Sequence, residues 1–321
     1  MNRRCAITVG DLGEFGIVSR ISGRLPQGGA VLLGPGDDAA LLRAPDGRVV
    51  VTTDLLIEGR HFRRDWSSGY DIGRKAAAQN LSDVAAMGAR PTGIVVGLGL
   101  PADASTGWLD DLTDGLRDEC DLVGASVVGG DVTRCDAVVI GVTALGDLGG
   151  RAPITRSGAR PGDVVAVTGR LGHAAAGLAL LRAGLTVPAA PAGLVEAHRR
   201  PLPPYARGPE AAGLGATAML DVSDGLLQDL GHVARASGVG VLLDPGRLPV
   251  PGALREAADL LGADPLEWVL SGGDDHALAA TFPDGVALPS EWTMVGRVIE
   301  GGGVRVEGRS VEHGGWDHFR E

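Results

Sequence analysis

Short acidic clusters, most beside glycine or a hydroxyl residue, recur along this 321-residue chain: Gly36-Asp37-Asp38, Thr52-Thr53-Asp54, Leu81-Ser82-Asp83, Gly129-Gly130-Asp131 and Asp221-Val222-Ser223-Asp224. Gly272-Gly273-Asp274-Asp275 is a weaker echo. Carboxylates gathered together repel one another unless cations lie between them. Magnesium takes a few such hard oxygens together with phosphate oxygens of a substrate. The chemistry these residues point to is magnesium-dependent work on phosphates.

Each cluster also has a plainer use. Asp54 can cap a turn at a strand end, Asp83 can face solvent, and Pro35-Gly36 can form an ordinary turn. Ser223 or Asp224 can cap the helix that follows them. Capping and ligand binding are compatible there, because the free amides of a helix N-terminus attract phosphate. Asp83 is the hardest to dismiss: an ionised carboxylate among Leu81, Val84 and Ala85 is costly to bury without a partner. His61, seven residues after Asp54, can orient a substrate or carry a proton. No spacing suggests a Ser-His-Asp or Cys-His nucleophile.

Short runs rich in Val and Ile predict strands over 49–53, 93–100 and 137–145, then over 164–168, 218–222, 239–243, 277–282 and 293–298. Helical spacing falls between them at 72–87, 108–122, 174–183, 226–236 and 253–261. The fold class is therefore α/β, with strands and helices interleaved in each half. The apolar pattern breaks at 149–162, around Pro153, Gly158 and Pro161, which divides the chain into domains 1–150 and 151–321. Prolines across 188–209 predict a long loop with no room for a helix.

A net charge of -11 opposes binding to nucleic acid or to an anionic membrane, since both need a basic patch. Lys75 is the one lysine in the chain, and Ala76 follows it, so the phosphate-binding loop that needs Gly-Lys-Ser or Gly-Lys-Thr is excluded. Cys5, Cys120 and Cys135 have neither zinc spacing nor an even count for disulfides. With no signal-peptide core and no run near the roughly 20 apolar residues of a membrane span, a cytoplasmic location is expected.

Taken in order, the clusters resemble the thiamine-monophosphate kinase family over nearly the whole chain. The likeness rests on Gly13-Glu14-Phe15-Gly16, Gly36-Asp37-Asp38-Ala39-Ala40, Thr52-Thr53-Asp54 through His61-Phe62, and the block Asn80 to Ala89. It continues through Gly129-Gly130-Asp131, Thr155-Arg156-Ser157-Gly158, Asp221 to Gly225, Gly272 to Asp275 and Trp316-Asp317-His318-Phe319.

The resemblance implies the two-domain aminoimidazole ribonucleotide synthetase-like fold, with an N-terminal domain that pairs in a homodimer. It also implies direct transfer of the ATP γ-phosphoryl group to thiamine monophosphate, with several Mg2+ ions and no catalytic base. By position, Asp38, Thr52, Thr53, Asp54, Asp83, Asp131, Asp221 and Asp224 resemble the metal ligands, and Gly130, Asp131, Arg156 and Ser223 the nucleotide contacts. His61, Asp274 and Trp316 resemble acceptor-site residues, an aromatic such as Trp316 suiting a cationic thiazolium ring.

One departure stands out: Gly272-Gly273-Asp274-Asp275-His276-Ala277 replaces the family's usual Gly-Gly-Glu-Asp-Tyr-Glu, and the resemblance places it on the acceptor side. The rival readings are another ATP-dependent enzyme of the same superfamily acting on a different phosphorylated metabolite, and a nonenzymatic ATP-binding protein. Selenophosphate synthetase, in the same superfamily, is disfavoured because Cys5 lacks a glycine-rich loop and a nearby lysine.

Overall fold

The computed structural model describes residues 7–35, 39–186, 190–310 and Gly315. Asp38 and Trp316 lie outside the described residues. The chain divides into two units, one ending at Gly150 and one beginning at Arg151, except that Ala85–Ala89 belongs with the second.

The first unit contains α1 (Val9–Ser22), β1 (Val31–Leu33), β2 (Leu41–Leu42), β3 (Val50–Ile57), α2 (Gly69–Ala86), β4 (Arg90–Leu100), α3 (Thr106–Asp121), β5 (Ser126–Arg134) and β6 (Val139–Asp147). Its main sheet has the order β3-β6-β4-β5, antiparallel except for the β4/β5 pair. Strand alternation sorts side chains between two faces. Leu56, Ile140, Val142, Ala144, Ile94, Val96 and Leu98 are buried, whereas Val51, Leu55 and Val95 are exposed.

The helices of this unit begin where their sequences supply caps. Ser68 and Asp71 bond reciprocally at the start of α2, each side chain accepting the other's amide. Ser105 accepts the Trp108 amide at the start of α3. From there Leu109, Leu112 and Leu116 recur at helical spacing, and all three are buried.

The second unit contains β7 (Val164–Thr168), α4 (His173–Arg182), α5 (Leu194–Arg199), α6 (Arg207–Leu214), β8 (Ala218–Val222), α7 (Leu226–Ser237), β9 (Gly240–Leu243), a 3-10 turn (Pro245–Arg247), α8 (Gly252–Leu261), α9 (Pro265–Ser271), β10 (Ala277–Phe282), β11 (Thr293–Ile299) and β12 (Gly303–Val306). Its sheet order is β12-β9-β11-β7-β10-β8, antiparallel apart from β12/β9. All six residues of β10 are buried, which accounts for their unbroken apolar and small character. Phe282 meets Trp292 edge to face at 5.2 Å within the core.

Several sequence expectations are corrected. The segment expected to be a loop holds α5, and α6 begins inside it at Arg207. Pro209 sits in the first turn of α6, where a missing amide hydrogen removes no helix bond. Strand β3 extends to Ile57, four residues past its expected end, so Thr52 and Asp54 lie within a strand and Asp54 caps no turn. Gly129, Gly130 and Asp131, for which no element was expected, lie inside β5.

Candidate functional site

In the first unit, Thr52 and Asp54 are two residues apart on β3 and share a face. On α2, Gln79 and Asp83 are four apart and share a stripe. The two patterns meet. The Thr52 hydroxyl donates to Asp83 Oδ2 at 2.8 Å, and the Gln79 amide donates to Asp54 Oδ2 at 3.0 Å. Both carboxylates are half-buried, so they are oriented while still open to a ligand. Gln79 was not singled out from the sequence. Its signal was its place one helical turn before Asp83.

Thr53 turns the other way: its hydroxyl donates to the Val142 carbonyl at 3.0 Å and lies 3.1 Å from the Thr143 hydroxyl. The structure therefore does not bring the Thr53 hydroxyl to the side that Thr52 and Asp54 share. Asp131 is exposed on β5. Strands β6 and β4 separate it from β3, so the sheet does not set Asp131 beside Asp54. A bulge in the β4/β5 pairing precedes it, with Ile94 opposite Val127 but Val95 opposite Gly129. A Cβ at Gly130 would lie 2.1 Å from the Val96 carbonyl oxygen, so only glycine permits that approach. His61 closes the turn after β3, its Nδ1 accepting the Ile57 amide at 3.0 Å.

In the second unit, Asp221 lies near the end of β8, and Ser223 and Asp224 follow just before α7. The expected cap is corrected: neither Ser223 nor Asp224 caps α7 with its side chain. Asp229 reaches back instead, its Oδ2 accepting the amides of Asp224 and Gly225 at 3.0 Å each. Burial, then the charge of Asp221, pushes the Asp229 carboxyl up to about 7, and Asp224 adds to the effect. Three acids are therefore crowded at one end of the β8–α7 connection.

The segment Asp274 to His276 packs against this connection. The Asp274 amide donates to the Ser223 carbonyl at 2.8 Å, and the His276 amide to the Val222 carbonyl at 3.1 Å. A Cβ at Gly273 would come within 2.2 Å of the Ser223 oxygen. The His276 ring lies 3.0 Å from Asp221 through Nδ1. The departure read from the sequence as an acceptor-side change thus has its histidine against a candidate metal ligand. Asp275 accepts the Ala174 amide at the start of α4, and burial pushes its carboxyl up to about 7.

Arg156 is exposed, and its charge helps lower the pKa of His232 on α7, after burial and ahead of Arg235. Its neighbours Thr155 and Ser157 line a cavity of about 450 Å³ together with Arg151, Ile154 and Thr217.

The donor set fits magnesium. It consists of carboxylate and hydroxyl oxygens, the hard donors that this ion takes. Among the described residues no three or more His, Cys, Asp or Glu side chains converge to cage a metal.

Two unlike α/β units bearing acid clusters define a class. The chain matches the models for the N-terminal domain of AIR synthase related proteins over residues 36–148 and for their C-terminal domain over 160–309. A thiamine-monophosphate kinase of Mycobacterium tuberculosis is 50% identical over 98% of this chain and 94% of its own length. A crystal structure of thiamine-monophosphate kinase from Stenotrophomonas maltophilia K279a is 39% identical, with a TM-score of 0.79 over 94% of this chain and 98% of that one. The structure of AaThiL complexed with AMPPCP and TMP superposes with a TM-score of 0.80 at 33% identity, over 98% of this chain and 99% of that one. The chain belongs to the AIR synthase related proteins and, among them, to the thiamine-monophosphate kinase family.

Proposed function

We propose that this protein transfers the γ-phosphoryl group of ATP to thiamine monophosphate, yielding thiamine diphosphate and ADP, the final step of thiamine diphosphate synthesis. The observation that carries this reading is the near full-length identity of 50% to a thiamine-monophosphate kinase. The relative complexed with AMPPCP and TMP supplies the two ligand classes. The carboxylates that such a reaction needs are present in oriented form.

An oxygen of the acceptor phosphate attacks the γ-phosphorus, and the bond from that phosphorus to the β,γ-bridging oxygen breaks to release ADP. The nucleophile is already anionic, so positioning and charge neutralisation do the catalytic work and no general base is required. Magnesium supplies neutralisation of the phosphate charge when bound. Asp54 and Asp83, with Thr52, would hold it in the first unit, and Asp221 and Asp224 in the second; Asp131 belongs to the proposed ligand set by sequence position. Gly130, Asp131, Arg156 and Ser223 are the proposed nucleotide contacts, and His61 and Asp274 the acceptor contacts.

The test is ADP release with magnesium and ATP, comparing thiamine monophosphate, thiamine and no acceptor, with thiamine diphosphate identified by chromatography. ADP and product from the monophosphate alone are expected. Magnesium-ATP binding without turnover would instead point to another phosphorylated acceptor.

A homodimer and a cytoplasmic location complete the proposal. The dimer is supported by the open face of the first sheet, where Val51 is 62% and Leu55 51% exposed, and a second copy would cover this apolar surface. No helix among the described residues is long and apolar enough to cross a membrane. Replacing both Val51→Glu and Leu55→Glu is expected to leave a monomer of 32.7 kDa in light scattering, where the unmodified protein has twice that mass. An unchanged mass would remove this face from the proposal.

A further inference from the structure

Asp221 is a carboxylate whose side chain is 6% exposed, and its partner, the His276 imidazole, is buried to the same extent. The two residues are 55 apart in sequence and meet at 3.0 Å between Oδ2 and Nδ1. Adjacent strands bring them together: Ala277 of β10 pairs with Val222 of β8, which carries residue 276 to the end of β8.

The local backbone is unusual. Among the described residues, Asp274 and His276 are the non-glycine positions with positive φ, at 66° and 52°. Left-handed backbone at such residues is unfavourable and persists where the surroundings over-determine it. Here the amides of Asp274 and His276 are bonded to Ser223 and Val222, so the strained turn is latched across the connection that carries Asp221 and Asp224. Its result is an imidazole placed against one oxygen of a buried acid. An Asp carboxylate can rotate about its last bond, and a fixed donor on Oδ2 selects one orientation, leaving Oδ1 as the oxygen for a ligand. Outer partners of this kind orient ligating groups and typically change metal affinity by about 10- to 100-fold.

We propose that His276 is a positioning residue for Asp221, holding its carboxylate in the orientation that receives magnesium with the nucleotide phosphates. The proposal rests on the reading of Asp221 as part of the metal site. His276 touches neither nucleotide nor acceptor in this role, and the role depends on a hydrogen bond donated from the Nδ1 position. Asparagine can donate from nearly the same place and is among the residues best suited to positive φ, so it is the conservative replacement.

The test uses the full chain and Mn2+ as a paramagnetic stand-in, titrated by electron paramagnetic resonance with saturating AMPPCP. Magnesium activation of turnover and thermal melts are measured in parallel. His276→Ala is expected to weaken Mn2+ binding and raise the half-activating magnesium concentration by about 10-fold or more, with kcat at saturating magnesium largely retained. His276→Asn is expected to restore both to within about threefold, the donor being replaced.

Asp221→Asn is the control for the underlying reading. If it binds Mn2+ as the unmodified protein does, Asp221 is no metal ligand, and that reading falls together with the proposal. If Asp221→Asn is weakened while His276→Ala is not, the metal site stands and the positioning role is overturned. The role is equally overturned if Ala and Asn at 276 are equally weak, because His276 would then act through packing.

Discussion

Asp54→Asn and Asp83→Asn are each expected to lower kcat/KM for thiamine monophosphate phosphorylation by more than about a hundredfold, the scale of losing one preorganised electrostatic contact to a reacting group. Asparagine keeps the shape of the side chain and removes its charge. The Thr52 bond to Asp83 and the Gln79 bond to Asp54 are interactions of half-buried groups, and the apolar residues between α2 and the sheet are untouched by either change. Circular dichroism and the melting temperature should therefore stay close to those of the unmodified protein. A folded variant with near-normal turnover would remove that aspartate from the site. A variant that fails to fold would show that the pair serves the packing of α2 on β3.

Removing magnesium is expected to weaken ATP binding by at least about tenfold, and to abolish turnover. The physical reason is charge. A triphosphate approaching Asp54 and Asp83, or Asp221 and Asp224, meets carboxylates at short range, and like charges at 4 Å repel by about 4 kcal/mol at the effective dielectric constant of a protein surface. Within the second unit, burial and then the charge of Asp221 push the Asp229 carboxyl up. Calorimetric titration of AMPPCP with magnesium or with excess chelator measures the effect directly. Equal affinity in the two titrations would mean that the nucleotide is held by Arg156 and backbone amides alone, and that the acids serve some other purpose.

Much of this site was legible as sequence because its chemistry is carried by residue types that are expensive to place elsewhere. Asp83 illustrates this: a carboxylate among Leu81, Val84 and Ala85 stood out in the sequence, and it is half-buried and accepts the Thr52 hydroxyl. The strands read from Val and Ile runs were found, since an apolar run needs cover whatever its neighbours are. The helix-free loop across 188–209 was misread because residues 192–200 carry no proline and hold α5, and because proline breaks a helix interior and not its first turn, where Pro209 stands in α6. Thr53 was grouped with Thr52 and Asp54 because β3 was expected to end at Thr53. Once the strand continues to Ile57, alternation sends the Thr53 hydroxyl to the opposite face.

By itself, the sequence determined the α/β class, the acidic and glycine-rich chemistry and the family, because propensity, apolar periodicity and the order of motifs are properties of the chain alone. Tertiary structure decided which acids have which partners. Gln79 on Asp54 and His276 on Asp221 each depend on one element being brought to a residue distant in sequence. Strand register sets the His276 contact across 55 residues. No local pattern encodes that pairing, since it follows from β10 lying beside β8 rather than from anything near either residue.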